Sequence, residues 1–176
     1  TFRCNRVSFV GCNFNGNAQF SQVDFSDTSV DFRNAKFSGN FVHFLGSKFN
    51  GAFTHFGRSN FGHAHVDFRN AQFGKGNTYF ENTDFSNVSM LNCNNSAFDG
   101  GEVSFKKTKL PSQNILFELI ECKACFTVEN LTKTGPISFQ GTVFHNHVSF
   151  NNLEIDGVLD LVGTKFTHQL SLHGLS

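Results

Sequence analysis

Residues 20–85 read FSQVDFSDTSVDFRNAKFSGNFVHFLGSKFNGAFTHFGRSNFGHAHVDFRNAQFGKGNTYFENTDF, and Phe keeps a fixed beat through them. The intervals alternate five and seven: Phe20, Phe25, Phe32, Phe37, Phe44, Phe49, Phe56, Phe61, Phe68, Phe73, Phe80, Phe85. A helix stripe repeats about every 3.6 residues and a strand face every two. A beat of about twelve residues is a repeat of whole units, the mark of a solenoid whose units bury their side chains only against neighbours.

Outward from this stretch the beat holds even where Phe is replaced. One ladder, the residue after each long gap, runs Phe9, Phe20 and every second rung to Phe80, then Cys93, Phe105, Phe117, Val128, Phe139, Phe150, Leu161 and Leu172. The other runs Phe2, Phe14, Phe25 and on to Phe85, then Phe98, Leu110, Cys122, Lys133, Phe144, Ile155 and Phe166. Only Lys133 is charged; either Leu131 takes its place as the rung, or the lysine stands at an exposed coil edge.

Two residues before each rung stands a second inward position, because extended chain points alternate residues the same way. Before the first ladder it is mostly apolar (Val30, Val42, Val66, Leu91, Ile115) and before the second mostly small (Ala35, Ser47, Ser59, Ala71, Ser96). In Phe126 with Val128 the large and small members exchange places, as close packing at constant volume requires.

Val30-Asp31-Phe32-Arg33-Asn34, Ala35-Lys36-Phe37-Ser38-Gly39, Val66-Asp67-Phe68-Arg69-Asn70 and Thr83-Asp84-Phe85-Ser86-Asn87 resemble the motif of the pentapeptide-repeat family: a small residue, then Asp or Asn, then a central Leu or Phe, then two variable residues. Extra residues in every second unit, as at Gly39-Asn40 and Gly76-Asn77, depart from it. The resemblance implies an all-β fold, a right-handed quadrilateral β-helix (β-solenoid) with four central residues stacked inside each coil. Two twelve-residue repeats then make a coil of about 22–24 residues, and the chain makes seven to eight coils. The rival, one coil per repeat, leaves too little straight chain to enclose phenyl rings. Residues 1–176 read as a single β-helix, with 110–136 its least regular stretch. There Ile115, Leu116, Leu119 and Ile120 also fit a short helix capped by Ser112, but the register returns on time at Phe139. Gly16, Gly39, Gly51, Gly62, Gly76 and Gly100 fall near corners, where positive φ is expected.

The chain has 25 Phe, one Tyr, no Trp and balanced charge, with 14 basic and 14 acidic residues. Neutrality offers no footprint for nucleic acid or an anionic membrane. Residues 1–80 carry eight Lys/Arg against four Asp/Glu, residues 81–176 six against ten, a mild end-to-end polarity. No apolar run is long enough to span a bilayer. The glycosylation-type triplets at Asn87, Asn94 and Asn130 are what so much Asn, Ser and Thr produces by chance, and the compartment stays open.

Candidate chemistry is sparse. Cys122 and Cys125 form a CxxC, followed by His145 and His147 about one coil later, so a zinc or thiol-exchange site is conceivable. The plain alternative is that Cys122, on a ladder slot, is a small core residue. His63 with His65, and His145 with His147, lie on corners with no acidic residue fixed beside either pair; His43 and His55 face outward. Asp24, Asp31, Asp67 and Asp84 precede rungs and read as outward, ordinary polar positions. No catalytic constellation or phosphate loop is present. No enzymatic activity, cofactor or resident metal is expected.

The expected role is therefore a non-catalytic scaffold or protein-binding solenoid, part of a larger protein or assembly, making lateral contacts or end-to-end contacts with a protein partner or a copy of itself through uncapped ends. Two alternatives stand beside it. Some pentapeptide-repeat proteins mimic DNA and modulate bacterial type II topoisomerases, but mimicry needs a strongly negative rod, which this chain is not. The other is a zinc- or redox-linked regulator at the CxxC.

Overall fold

In the computed structural model, which describes residues 4–176, the chain winds as a parallel β-solenoid of about seven turns with no helix among those residues. Every strand pairing is parallel. Each turn has four faces, and the strands of each face stack from turn to turn. The first face has eight strands: Arg6–Ser8, Ser29–Asp31, Phe53–His55, Asn77–Tyr79, Glu102–Ser104, Cys125–Thr134, Val148–Ile155 and Leu170–Leu175. The third, opposite it, has seven, from Ala18–Gln19 to Leu159–Asp160, and the fourth has six, from Lys48–Phe49 to Lys165–Phe166. The second begins with Asn13–Phe14 beside Lys36–Phe37 and continues through single bridges at Asn60, Asp84 and Lys109.

Strand register sets the length of a turn: Ile137 pairs with Leu159, 22 residues on, Phe53 with Asn77, 24 on, and Thr78 with Val103, 25 on. The expected coil was one residue shorter at its maximum. The extra residue follows from the single thirteen-residue step between Phe80 and Cys93, where Thr78 pairs with Val103.

Each ladder divides between two opposite faces, so the interior holds four columns. Along a column, rings stack: Phe32 on Phe56 at 5.1 Å and 4°, Phe44 on Phe68 at 4.8 Å and 3°, Phe61 on Phe85 at 4.6 Å, Phe73 on Phe98 at 4.7 Å. Between first-face and third-face columns they meet edge to face, as Phe44 does with Phe56 at 5.5 Å and 76°. Both geometries suit the ring quadrupole. Of the Phe rungs from Phe20 to Phe166, all are buried except those two, which are partly buried. Phe2 lies outside the described residues.

Cys93 and Cys122 interrupt the third-face and fourth-face columns, and Phe126 fills the space from the first face. It packs against Phe98, Phe117 and Phe144 at 6.3, 6.1 and 5.4 Å. Lys133 is exposed with φ 50°, while Leu131 is buried and pairs with Leu153, after which the register shifts. Leu131 occupies the inward slot two residues early, and Thr134 closes the corner in place of the rung. Through 110–136 the coil continues as β-structure, Ile115 pairing with both Leu91 and Ile137.

The corners differ from expectation. Gly62 has positive φ, but Gly16, Gly39, Gly51, Gly76 and Gly100 do not. Gly39 and Gly76 are needed for close approach instead: a Cβ on either would fall 2.4 and 2.2 Å from the carbonyl oxygens of Gly16 and Gly51. The left-handed corner is another row, two residues after each first-ladder rung, including Gly11, Asn34, Gly46, Asn70, Asn82, Asn95, Asn130 and Asn152. The next residue's N–H donates back to the rung carbonyl, Ala35 to Phe32 and Ser59 to Phe56, both at 3.0 Å. This is the type II turn, whose third residue favours Gly or Asn.

The small residue closing that turn has a second task. Ser59 Oγ–H donates to the carbonyl of Phe32 at 2.7 Å, Thr83 to Phe56 at 2.9 Å, Ser96 to Phe68 at 2.7 Å and Thr108 to Phe80 at 2.6 Å. Each hydroxyl thus stitches its corner to the turn before.

Phe56→Ala should lower the unfolding free energy by about 3–5 kcal/mol in urea titration, because its slot is closed on all sides. Asn60→Asp, exposed and able to keep its hydrogen bond to the Gly62 N–H, should change it by less than about 0.5 kcal/mol.

Candidate functional site

With the rungs inside, the outer walls carry whatever recognition the chain performs. The residue just before a rung points outward, and its side chain accepts the N–H of the residue just after: Asp24 from Ser26 (2.8 Å), Asp67 from Arg69 (2.9 Å), Asp84 from Ser86 (3.0 Å), Asn92 from Asn94 (3.0 Å). Such Asx bonds explain why Asp or Asn recurs there. His55 does the same through Nδ1, accepting the Gly57 N–H at 2.9 Å.

Asp31 and Asp67 are more than ordinary polar positions. Both are outward yet 0% and 2% exposed, because an arginine two residues on folds over each. Arg33 Nε and Nη2 reach Asp31 at 3.0 and 2.7 Å, and Arg69 holds Asp67 at 3.0 and 2.8 Å. Arg6, from the turn below, also pairs with Asp31. Burial alone would raise these carboxyl pKa values, but the arginine hydrogen bonds outweigh it and hold both below the ordinary range. The repeated Val-Asp-Phe-Arg-Asn segment thus places one such pair on the first face and one on the third.

The first face also gathers aromatic side chains. Arg6 lies 5.7 Å from the Phe53 ring, and His55 packs on Tyr79 at 5.1 Å. Across the molecule Phe41 stacks on His43 at 4.6 Å, and His43 meets His65 edge-on at 5.9 Å. Phe41, Phe53 and Tyr79 are half-buried wall residues. The sequence did carry a sign of them: Phe41 and Phe53 are off the beat, each three residues ahead of a rung, where outward side chains belong.

The cysteine and histidine candidates do not converge. Cys122 is a fully buried rung whose S–H donates to the Ala124 carbonyl at 3.5 Å, and burial pushes its pKa up to about 12. Cys125 opens the first-face strand, with His147 one turn further on, its carbonyl accepting the Phe126 N–H at 3.0 Å. His145 is exposed and lies 2.7 Å from Glu121. That carboxylate was not foreseen, because it belongs to the preceding turn, 24 residues away. Among the described residues no three His, Cys, Asp or Glu side chains gather where they could hold a metal ion, and no helix is long and apolar enough to cross a membrane.

No family model matches the chain, and no curated protein matches it. Among solved structures it is similar to HetL, a pentapeptide repeat protein involved in heterocyst differentiation regulation from the cyanobacterium Nostoc sp.. That likeness covers 99% of this chain and 89% of HetL, at 12% identity and a TM-score of 0.24. The four-faced coil is established by the strand register itself.

Stability should fall on acidification in two stages. His43 and His55 have pKa values lowered from 6.5, first by burial, so the unfolded chain binds their protons more readily. Their contribution is complete above 6.5 and is lost as pH drops through the folded-state values. Asp31 and Asp67, lowered from 3.8, add a second loss below that pH. Melting temperature against pH should show both steps, and Asp67→Asn should shrink the lower one while enlarging the upper, because the Asp67 carboxylate favours the protonated His43 ring.

Thiol titration gives an independent check. Cys4 and Cys12, both exposed, should react with a disulfide reagent in the native protein, whereas Cys93 and Cys122, buried with raised pKa values, should react only after unfolding.

Proposed function

We propose that this chain is a non-catalytic scaffold that receives a protein partner laterally, on the first face between the turns of Arg6 and Tyr79. The observation that carries the reading is the outward chemistry of that wall: half-buried Phe53 beside Arg6, and half-buried Tyr79 beside His55, on a continuous parallel sheet. Tyr and Arg anchors on a preorganised surface are what protein interfaces concentrate their binding energy in. The interior supports the same reading. Its apolar cavity, among Phe105, Leu110, Phe117 and Val128, measures about 10 Å³, space for no substrate.

A paired substitution, Phe53→Ser with Tyr79→Ser, should leave the circular-dichroism spectrum unchanged and abolish capture of partners from the native source. Phe41→Ser, on the opposite wall, should leave capture intact. Equal capture by all three proteins would remove the first face from consideration. Light scattering across a concentration series tests the end-to-end or copy-to-copy form of the same reading: a constant monomer mass eliminates it.

A further inference from the structure

Where the first face turns into the second, beside the proposed docking wall, a surface groove of about 240 Å³ is lined by Arg33, Asn34, His55, Arg58, Glu81 and Asn82. Gly57 forms part of it, and the groove depends on that glycine. At the matching corner of other turns the residue is large: Arg33, Glu81, Lys106 and Glu129 all stand one place after a rung. At Gly57 a Cβ would lie 2.4 Å from His55 Cε1, because the imidazole folds over this position. The missing side chain lets the His55 ring lie down as the groove's wall.

The groups in this groove are mostly donors. His55 Nδ1 accepts the Gly57 N–H, so the neutral ring carries its proton on Nε2 as a donor. Burial and then the nearby Arg33 lower the His55 pKa, which keeps the ring neutral. Arg33 is held by its Nε and Nη2 bonds to Asp31, leaving Nη1 to donate from a fixed position. The side chains of Arg58, Asn34 and Asn82 have no hydrogen-bond partner among the described residues. Glu81 is drawn toward the next turn, where Oε1 accepts Ser104 Oγ–H at 2.9 Å. Counting Asp31 and Glu81 against Arg6, Arg33 and Arg58, the locality retains one excess positive charge.

We propose that this corner is a binding site for a phosphate-type oxyanion, either free or carried by a ligand. Two guanidinium groups, one imidazole N–H and two carboxamides line this one groove, a number of donors that suits an acceptor with several oxygens better than a planar carboxylate. The site goes beyond the scaffold reading, since it needs no partner protein to exist.

Two substitutions test it without threatening the fold. Arg58→Asn restores the residue that other turns carry at the same left-handed corner, as at Asn34 and Asn82. His55→Asp restores the Asx bond to the Gly57 N–H, as Asp31 and Asp67 make it, but replaces a donor with a carboxylate. Inorganic phosphate is titrated at constant ionic strength while the Arg side-chain and His55 Nε2 resonances are followed. Saturable shifts with a Kd on the order of 1 mM are expected. The affinity should weaken by about tenfold or more in Arg58→Asn and vanish in His55→Asp. A phosphoserine peptide run in parallel distinguishes the sources: tighter binding than the free ion assigns the site to a phosphorylated partner, equal binding to the ion itself. Shifts that stay linear in phosphate, or an Arg58→Asn affinity within about twofold of the parent, overturn the assignment. Either result is readable whether or not the first face binds a protein.

Discussion

The structure depends on a match between two spacings. Parallel strands lie about 4.8 Å apart, and the ring centroids within a column lie 4.6 to 5.3 Å apart. A phenyl ring repeated in register is therefore already at stacking distance from its copy in the next turn, with nothing else needed to bring it there. An aliphatic column satisfies the same spacing, but Phe also fills the interior across its width, since rings from opposite faces interlock at about half-turn height. The herringbone of Phe32, Phe44, Phe56 and Phe68, with successive contacts of 5.5 Å, shows this directly. One amino acid thus serves both directions of packing. The near absence of other aromatics follows, because Tyr or Trp in such a slot would bury a donor without a partner.

A hollow spiral also has to turn four times per coil without leaving backbone groups unpaired. Two devices accomplish this at the corner after each first-ladder rung. The left-handed residue lets the chain reverse tightly, and the Ser or Thr that follows sends its hydroxyl to a carbonyl of the preceding turn. The small volume at that position and its hydroxyl are separate requirements. Ala35 and Ala71 meet the first alone, while Ser59, Thr83 and Thr108 meet both. Where Leu131 takes the position instead, no hydroxyl is available, the register shifts, and Lys133 turns outward. The irregularity between 125 and 134 is one extra residue: Leu131 to Thr134 spans three positions where its partners Leu153 to Ile155 span two, and Lys133 lies in the excess.

Much of this was legible in the residues. Beat and inward partner imply a buried Phe core, the resemblance to the pentapeptide-repeat family implies four rungs per turn, and the Phe126–Val128 exchange is visible in the residues alone. Other features were misread for identifiable reasons. The glycines drew attention as positive-φ corners, whereas Asn, recurring two residues after a rung, holds that conformation; Gly39 and Gly76 serve close backbone approach. Asp31 and Asp67 looked like ordinary outward polar positions, because their burial comes from an arginine two positions on that periodicity alone does not show. Glu121 beside His145 was missed since partners one turn apart are far apart in sequence, and a turn is 22 residues long at Ile137 with Leu159 but 25 at Thr78 with Val103.

Within such a repeat, departures from the pattern carry more functional information than the pattern. A position that repeats is explained by the coil and needs no partner to account for it. Phe53 is off the beat, Tyr79 stands where other turns place Asp31 or Ser104, and Gly57 is small where neighbouring corners are charged. These three exceptions fall on adjacent turns of one wall and its corner, and Gly57 and Tyr79 both touch the His55 ring. None is required by the Phe columns, since each faces away from them, and Phe53 even exposes apolar surface that Ser29 and Asn77, its neighbours in the stack, avoid. Phe41, stacked on His43 on the opposite wall, is a departure of the same kind, and what sets the first face apart is that two of its departures meet at one imidazole ring.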